Sequence, residues 1–87
     1  MAANVVSEFG KSGQSLTNEQ VLELYGFYKQ STTGDINIGR PGIFDPKGRA
    51  KWDAWDAKKG TSQQDAKVGY VNTAKSVLPA EWAARIA

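Results

Sequence analysis

Three helix-start signals, spread along a chain of 87 residues, constrain the architecture more than any other feature. Thr17-Asn18-Glu19-Gln20 is a capping box, in which the threonine oxygen accepts from the third helical N–H and the glutamine reaches back to the threonine N–H. Asp45-Pro46 sets a capping carboxylate ahead of a proline at the first helical position, where a missing N–H costs nothing. Ser62 with Asp65 opens a third helix in the same manner. Behind the first signal, Val21, Leu24, Tyr25 and Tyr28 recur at helical spacing through about Thr32, and Gly34 supplies a left-handed stop. Behind the second, KGRAKWDAWDAKK runs to Gly60. Behind the third, Val68, Val71, Ala74, Val77 and Leu78 mark a buried side through about Val77, with Tyr70 off the centre of that stripe.

The remaining segments fit around these helices. Residues 2–10 read as a short helix with Val5, Val6 and Phe9 as its apolar members, broken by Gly10, Ser12 and Gly13. Residues 33–46, TGDINIGRPGIFDP, form a turn-rich loop whose Ile36, Ile38, Ile43 and Phe44 are expected to dock inward. Pro79 ends the last long helix or kinks it, because it removes a donor and crowds the preceding turn. AEWAARIA then restarts or prolongs it. Helices without credible strands give an all-α bundle with one core.

Composition narrows the chemistry. There is neither cysteine nor histidine, which excludes Cys/His metal sites, Ser-His-Asp triads and imidazole acid–base catalysis. Eleven Lys+Arg against nine Asp+Glu leave a net charge of +2, too little for a nonspecific nucleic-acid binder. The N-terminal stretch lacks a signal-peptide pattern, and no run of residues is apolar and long enough to span a bilayer. A cytoplasmic protein is the expectation.

Two clusters remain as candidate sites. In YGFYK, Tyr25, Tyr28 and Lys29 stand at i, i+3 and i+4 and share one helix face. In KGRAKWDAWDAKK, Lys47, Lys51 and Trp55 succeed one another turn by turn. Each has a plain reading, aromatic rings packed in the core beneath lysine stems. Taken together, Lys29, Lys47 and Lys51 could converge on one anion, with tyrosine hydroxyls as further donors and ring faces for a base. Tyr70 is a further candidate. No Gly-x-x-x-x-Gly-Lys-Ser/Thr phosphate loop is present.

The run YGFYKQSTTGDINIGRPGIFDPKGRAKWDAW, followed by KKGTSQQDA and Tyr70, closely resembles the acyl-CoA-binding protein family over residues 21–71. The resemblance implies an up-down-down-up four-helix bundle, with residues 1–87 as a single acyl-CoA-binding domain. It implies a carrier and pool former for long-chain acyl-CoA, without catalysis, resident cofactor or metal. The implied partner is the small-molecule ligand itself. The protein would be a monomer without stable membrane insertion, in transient contact with acyl-CoA-using enzymes. Tyr28, Lys29, Lys51 and Tyr70 match family positions that contact the CoA moiety, and Tyr25 and Lys47 match positions near the ligand. In this reading adenine packs among aromatic rings and a lysine with tyrosine hydroxyls holds the 3′-phosphate. The GDINIGRPG loop spaces the two central helices, Trp52 is chiefly core, and Trp55 lies nearer the acyl chain. Two departures stand out: Gly10 occupies the place of a basic residue, with Lys11 nearest to it, and Pro79 and Trp82 replace a lysine-rich tail. The alternatives from other classes are a small single-stranded nucleic-acid-binding helical module, which uses the same lysines and rings, and a thioesterase relying on carboxylates such as Asp53 and Asp56.

Overall fold

The computed structural model describes residues 2–14 and 16–86. Its elements are α1 (Ala2–Lys11), α2 (Asn18–Thr32), α3 (Pro46–Asp56), α4 (Gln63–Val77) and a short α5 (Ala80–Ala83), with no strand among the described residues. The helix starts form where the local chemistry dictates. Thr17 Oγ1 accepts from Gln20 N at 3.1 Å while Gln20 Oε1 accepts from Thr17 N at 2.9 Å, which closes the capping box. Asp45 Oδ1 takes Gly48 N at 3.0 Å, and Ser62 Oγ takes Asp65 N at 3.0 Å. Each satisfies an N–H that the first helical turn would otherwise leave unpartnered.

Helix ends follow backbone chemistry as well. Gly34 and Gly60 have φ of +92° and +91°, a region that glycine enters without penalty, just past α2 and α3. The α3 helix stops at Asp56, short of Gly60, because the chain tightens there. Lys58 N donates to Trp55 O and Lys59 N to Asp56 O, three-residue spans that wind the end into turns. Leu78 is extended (φ −86°, ψ 149°), as a residue before proline prefers, and α5 restarts after Pro79 rather than prolonging α4.

Helix α2 is the centre of the assembly and packs on both α3 and α4. It runs antiparallel to α4: Gln30, near the end of α2, bonds Thr61 O just before α4, whereas Leu24 joins Ala74 further along α4 in the core. Close approach is built from glycine. A Cβ at Gly26 would strike the backbone carbonyl of Ala54 on α3, and a Cβ at Gly69 would lie 2.7 Å from Phe27 Cδ1 on α2. The core joins Val5 and Phe9 of α1 with Leu24, Ala74, Leu78 and Ile86. Trp82 meets Phe9 edge-on at 5.4 Å, and Arg85 Nη2 donates to Glu8 at 2.6 Å, which ties the C-terminal turn to α1.

Three sequence expectations change. The buried positions of α4 are Ala66 and Ala74, whereas Val68 is exposed; Tyr70 lies midway between those alanines, four residues from each, and is half-buried on the same stripe. The loop does not dock through its apolar side chains, since Ile38, Ile43 and Phe44 face solvent and only Ile36 is half-buried. It is held by polar bonds instead. Asp35 Oδ1 receives Gln30 Nε2 at 2.8 Å and Gly60 N at 2.9 Å, and Arg40 grips Asp53 with two parallel bonds of 3.0 and 2.9 Å. The expected burial of the tryptophans also changes. Trp55 is the buried ring, 4% exposed, with Nε1 donating to Gly34 O at 2.8 Å; Trp52 is half-buried and donates to Ile38 O at 2.8 Å. Residues three apart on a helix point about 60° away from each other, and the tight α2–α3 crossing at Gly26 selects Trp55 as the inward one.

Candidate ligand-binding site

The capping box that starts α2 also shapes the site. Leu16, immediately before the cap, and Val21, at the fourth helical position, occupy the two positions of a hydrophobic staple. Both line an apolar groove of about 220 Å³ with Val6, Leu24, Tyr25, Tyr28 and Tyr70. A second hollow of about 230 Å³, lined by Val6, Phe9, Gly10, Gln14, Leu16 and Val21, shares three of those residues and prolongs the groove along α1. Helix α1 packs on α4, so its other flank and α2 face one another across this trough. Val21 is 49% exposed and Tyr28 44%. Apolar surface gathered in one concave place, rather than scattered singly, is characteristic of ligand sites.

The rim is aromatic and cationic. The Tyr28 and Tyr70 rings lie 6.2 Å apart, tilted by 56°, brought together by the antiparallel pairing of α2 and α4. Burial, and secondarily the neighbouring Tyr28, raise the Tyr70 phenol above its ordinary value, so at neutral pH it keeps its proton as a hydrogen-bond donor. Lys51 Nζ stands 5.7 Å from the Tyr25 ring centroid, reaching from α3 onto α2. Lys29 Nζ lies 4.8 Å over the Trp55 ring. The Arg40 guanidinium holds the Asp53 carboxyl below the usual carboxylate range and occupies both of its oxygens. The carboxylate two residues from Lys51 is thereby paired, and neither Lys29 nor Lys51 forms an ion pair among the described residues.

The structure thus brings together Tyr25, Tyr28 and Tyr70 along the trough and Lys51 above it. Lys29 lies beside this set, one residue on from Tyr28 and turned toward Trp55. Lys47 is exposed in the first turn of α3 and makes no side-chain bond among the described residues. The groove walls Val6, Leu16 and Val21 were not among the site residues expected from sequence. The staple spacing of Leu16 and Val21, with Val21 one turn before Tyr25, was the signal that could have found them. Among the described residues there is no cluster of carboxylates able to hold a metal ion. What this arrangement can do chemically is seat an amphiphile, with a planar anionic head on the rings and lysines and a hydrocarbon chain in the trough.

The profile of the acyl CoA binding protein family matches residues 1–74. The chain belongs to this family. A Fritillaria agrestis acyl-CoA-binding protein is 51% identical over 65 residues, covering 75% of each chain. The acyl-CoA-binding domain-containing protein 5 of Gallus gallus is 46% identical over 78 residues, which are 88% of this chain and 16% of that one. The crystal structure of Oryza sativa acyl-CoA-binding protein 2 superposes with a TM-score of 0.71 at 40% identity, covering 87% of both chains. The fold is accordingly the all-α, up-down-down-up four-helix bundle of the acyl-CoA-binding proteins, with α5 added after Pro79, and family membership makes acyl-CoA the ligand class.

Proposed function

We propose that this chain holds long-chain fatty acyl-CoA esters, with the CoA head on the Tyr28/Tyr70 and Lys29/Lys51 rim and the acyl chain along the groove between α1 and α2. The observation that carries the reading is the continuity of the two: Tyr25, Tyr28 and Tyr70 line the apolar groove, the Tyr28 and Tyr70 rings adjoin, and Lys51 stands over the Tyr25 ring. Adenine stacks against the tyrosine faces, and the 3′-phosphate accepts from the Lys29 and Lys51 ammonium groups and from the Tyr70 hydroxyl, bonds strengthened by charge. Tyr25 bridges head and chain, and Lys47, at the open end of α3, adds a cation near the head. The hydrocarbon contributes up to about 0.8 kcal/mol for each buried CH₂.

In this reading residues 1–87 act as one binding unit, a cytoplasmic carrier and pool former. It needs no cofactor, works as a monomer, and passes its cargo to acyl-CoA-using enzymes. The thioesterase alternative draws no support from Asp53, which is paired with Arg40, or from Tyr70, which is a protonated phenol. Titration calorimetry with acyl-CoAs of rising chain length, with CoA and palmitate as controls, tests the proposal. Affinity rises about tenfold for every two methylenes until the groove is filled, and palmitate binds far more weakly than palmitoyl-CoA. Equal affinity for palmitate and palmitoyl-CoA refutes the head-group site, and release of free CoA on prolonged incubation refutes the non-catalytic role.

A further inference from the structure

A feature outside the groove lies at the tip of the loop between α2 and α3. Asp45 N donates to Gly42 O at 3.0 Å, which closes a turn whose two corner residues are Ile43 and Phe44. Turn corners ordinarily carry Gly, Pro, Asn, Asp or Ser. In this turn two large apolar side chains occupy them, 70% and 96% exposed, and Ile38 nearby is 59% exposed. Almost nothing of the protein surrounds Phe44, so it protrudes rather than lining a hollow. The turn is nonetheless held firmly. The Trp52 indole fixes Ile38 O, the Arg40–Asp53 fork fixes the loop to α3, and Asp45 is the cap of α3. A protruding apolar pair on a tethered turn loses little conformational freedom when it is buried elsewhere.

The surrounding charge indicates where it is buried. Between residues 35 and 53 the cationic side chains are Arg40, Lys47, Arg49 and Lys51, against Asp35, Asp45 and Asp53; Arg40 is paired with Asp53, and Lys47, Arg49 and Lys51 form no ion pair among the described residues. Asp45 is occupied with Gly48 N, while Lys47 and Lys51 are exposed. We propose that this turn is a membrane-surface anchor: Ile43 and Phe44 enter the interface of an anionic lipid bilayer while Lys47 and Lys51 face its headgroups. A convex apolar tip beside lysines fits a lipid surface, which has no fixed shape to match, and basic residues strengthen such contacts when the lipids are anionic. Among the described residues no helix is long and apolar enough to cross a membrane, and the docking is peripheral and reversible. The anchor places Lys51, and with it the rim of the groove, at the surface. That extends the carrier reading above, although docking itself requires no ligand.

Flotation of the ligand-free full chain with vesicles tests the anchor. Vesicles of phosphatidylcholine mixed with phosphatidylserine bind it, and vesicles of phosphatidylcholine alone bind it much less. Phe44→Asp lowers binding by about ten- to a hundredfold, as loss of one buried aromatic side chain requires, and Ile43→Asp lowers it to a smaller extent. Both variants keep the wild-type unfolding temperature, because these side chains are exposed. Equal binding to the two vesicle types, or unchanged binding of Phe44→Asp, overturns the proposal. So does Phe44-dependent self-association in vesicle-free light scattering, which would make a second copy the occupant. Palmitoyl-CoA titration without vesicles separates the two readings: Phe44→Asp titrates like wild type if the groove is the ligand site, and failure of wild type to titrate defeats the groove while leaving the anchor standing.

Discussion

Replacing Gly26 by alanine tests the α2–α3 crossing directly. Two effects oppose one another. Alanine is favoured over glycine inside a helix by about 1 kcal/mol, so in open space the change would stabilise α2. At Gly26, however, the new methyl collides with the carbonyl oxygen of Ala54, lies 3.0 Å from its carbonyl carbon, and comes within 3.3 Å of Lys58 Cγ. The lysine stem can swing away, but the Ala54 backbone cannot do so alone, because it belongs to the last turn of α3. The two helices must separate, and overpacking of this kind costs roughly 1–3 kcal/mol or somewhat more when backbone must move. The collision wins by about 1–2 kcal/mol, which for a domain of this size lowers the unfolding temperature by roughly 5–15 °C. Thermal unfolding followed by far-UV circular dichroism reads this out. Gly10 is the control, since a Cβ there meets nothing within 4 Å, and Gly10→Ala raises the midpoint by a few degrees. Because α3 carries Lys51 over the Tyr25 ring, Gly26→Ala also weakens palmitoyl-CoA binding. A Gly26→Ala protein as stable as wild type, or more so, would refute the crossing.

Three further outcomes follow from the geometry. Lys29→Ala weakens palmitoyl-CoA by about 1.5–3 kcal/mol through loss of a charge-assisted bond while the unfolding midpoint stays near wild type; calorimetry showing an unchanged dissociation constant removes Lys29 from the site. Trp55→Phe leaves Gly34 O without its indole donor and lowers stability by about 1–3 kcal/mol, whereas urea midpoints equal to wild type would contradict that bond. Asp35 is held below its ordinary value by the Gly60 N–H first and the Gln30 amide second. Its contribution is therefore fully present above about pH 4 and fades as pH falls through the lowered folded value. Asp35→Asn flattens the fall in melting temperature as pH drops below about 4, and identical acid profiles for the two proteins would exclude that role.

What was legible in the sequence is what is local. The caps at Thr17, Asp45 and Ser62 and the stop at Gly34 each depend on residues within one turn of one another, and these form as read; α3 ends at Asp56, four residues before the expected stop at Gly60. Tyr25, Tyr28 and Lys29 were legible as a shared face for the same reason. The loop was misread because its apolar side chains were the visible signal, whereas its actual tethers span long sequence distances. Asp35 reaches Gly60, 25 residues on, and the Trp55 indole reaches Gly34, 21 residues back. The division between Trp52 and Trp55 depends on which face of α3 meets Gly26, a tertiary choice that spacing alone leaves open. Val68 was read as buried for its hydrophobicity, yet the close α2–α4 contact at Gly69 and Phe27 favours the small Ala66 and Ala74 inside. The tyrosine pair required α4 to run antiparallel to α2, again a tertiary fact. Leu16 was available locally, as half of a staple.

The way α1 is attached has a thermodynamic corollary. It leans on α4, and water reaches Val21 along the side turned to α2. A hydrocarbon lying there would act as mortar between two bricks of the same wall. Cargo and fold then share one cohesive seam, so heat resistance should climb with tail length in step with affinity, and a simple melting curve becomes a gauge of what the protein is carrying.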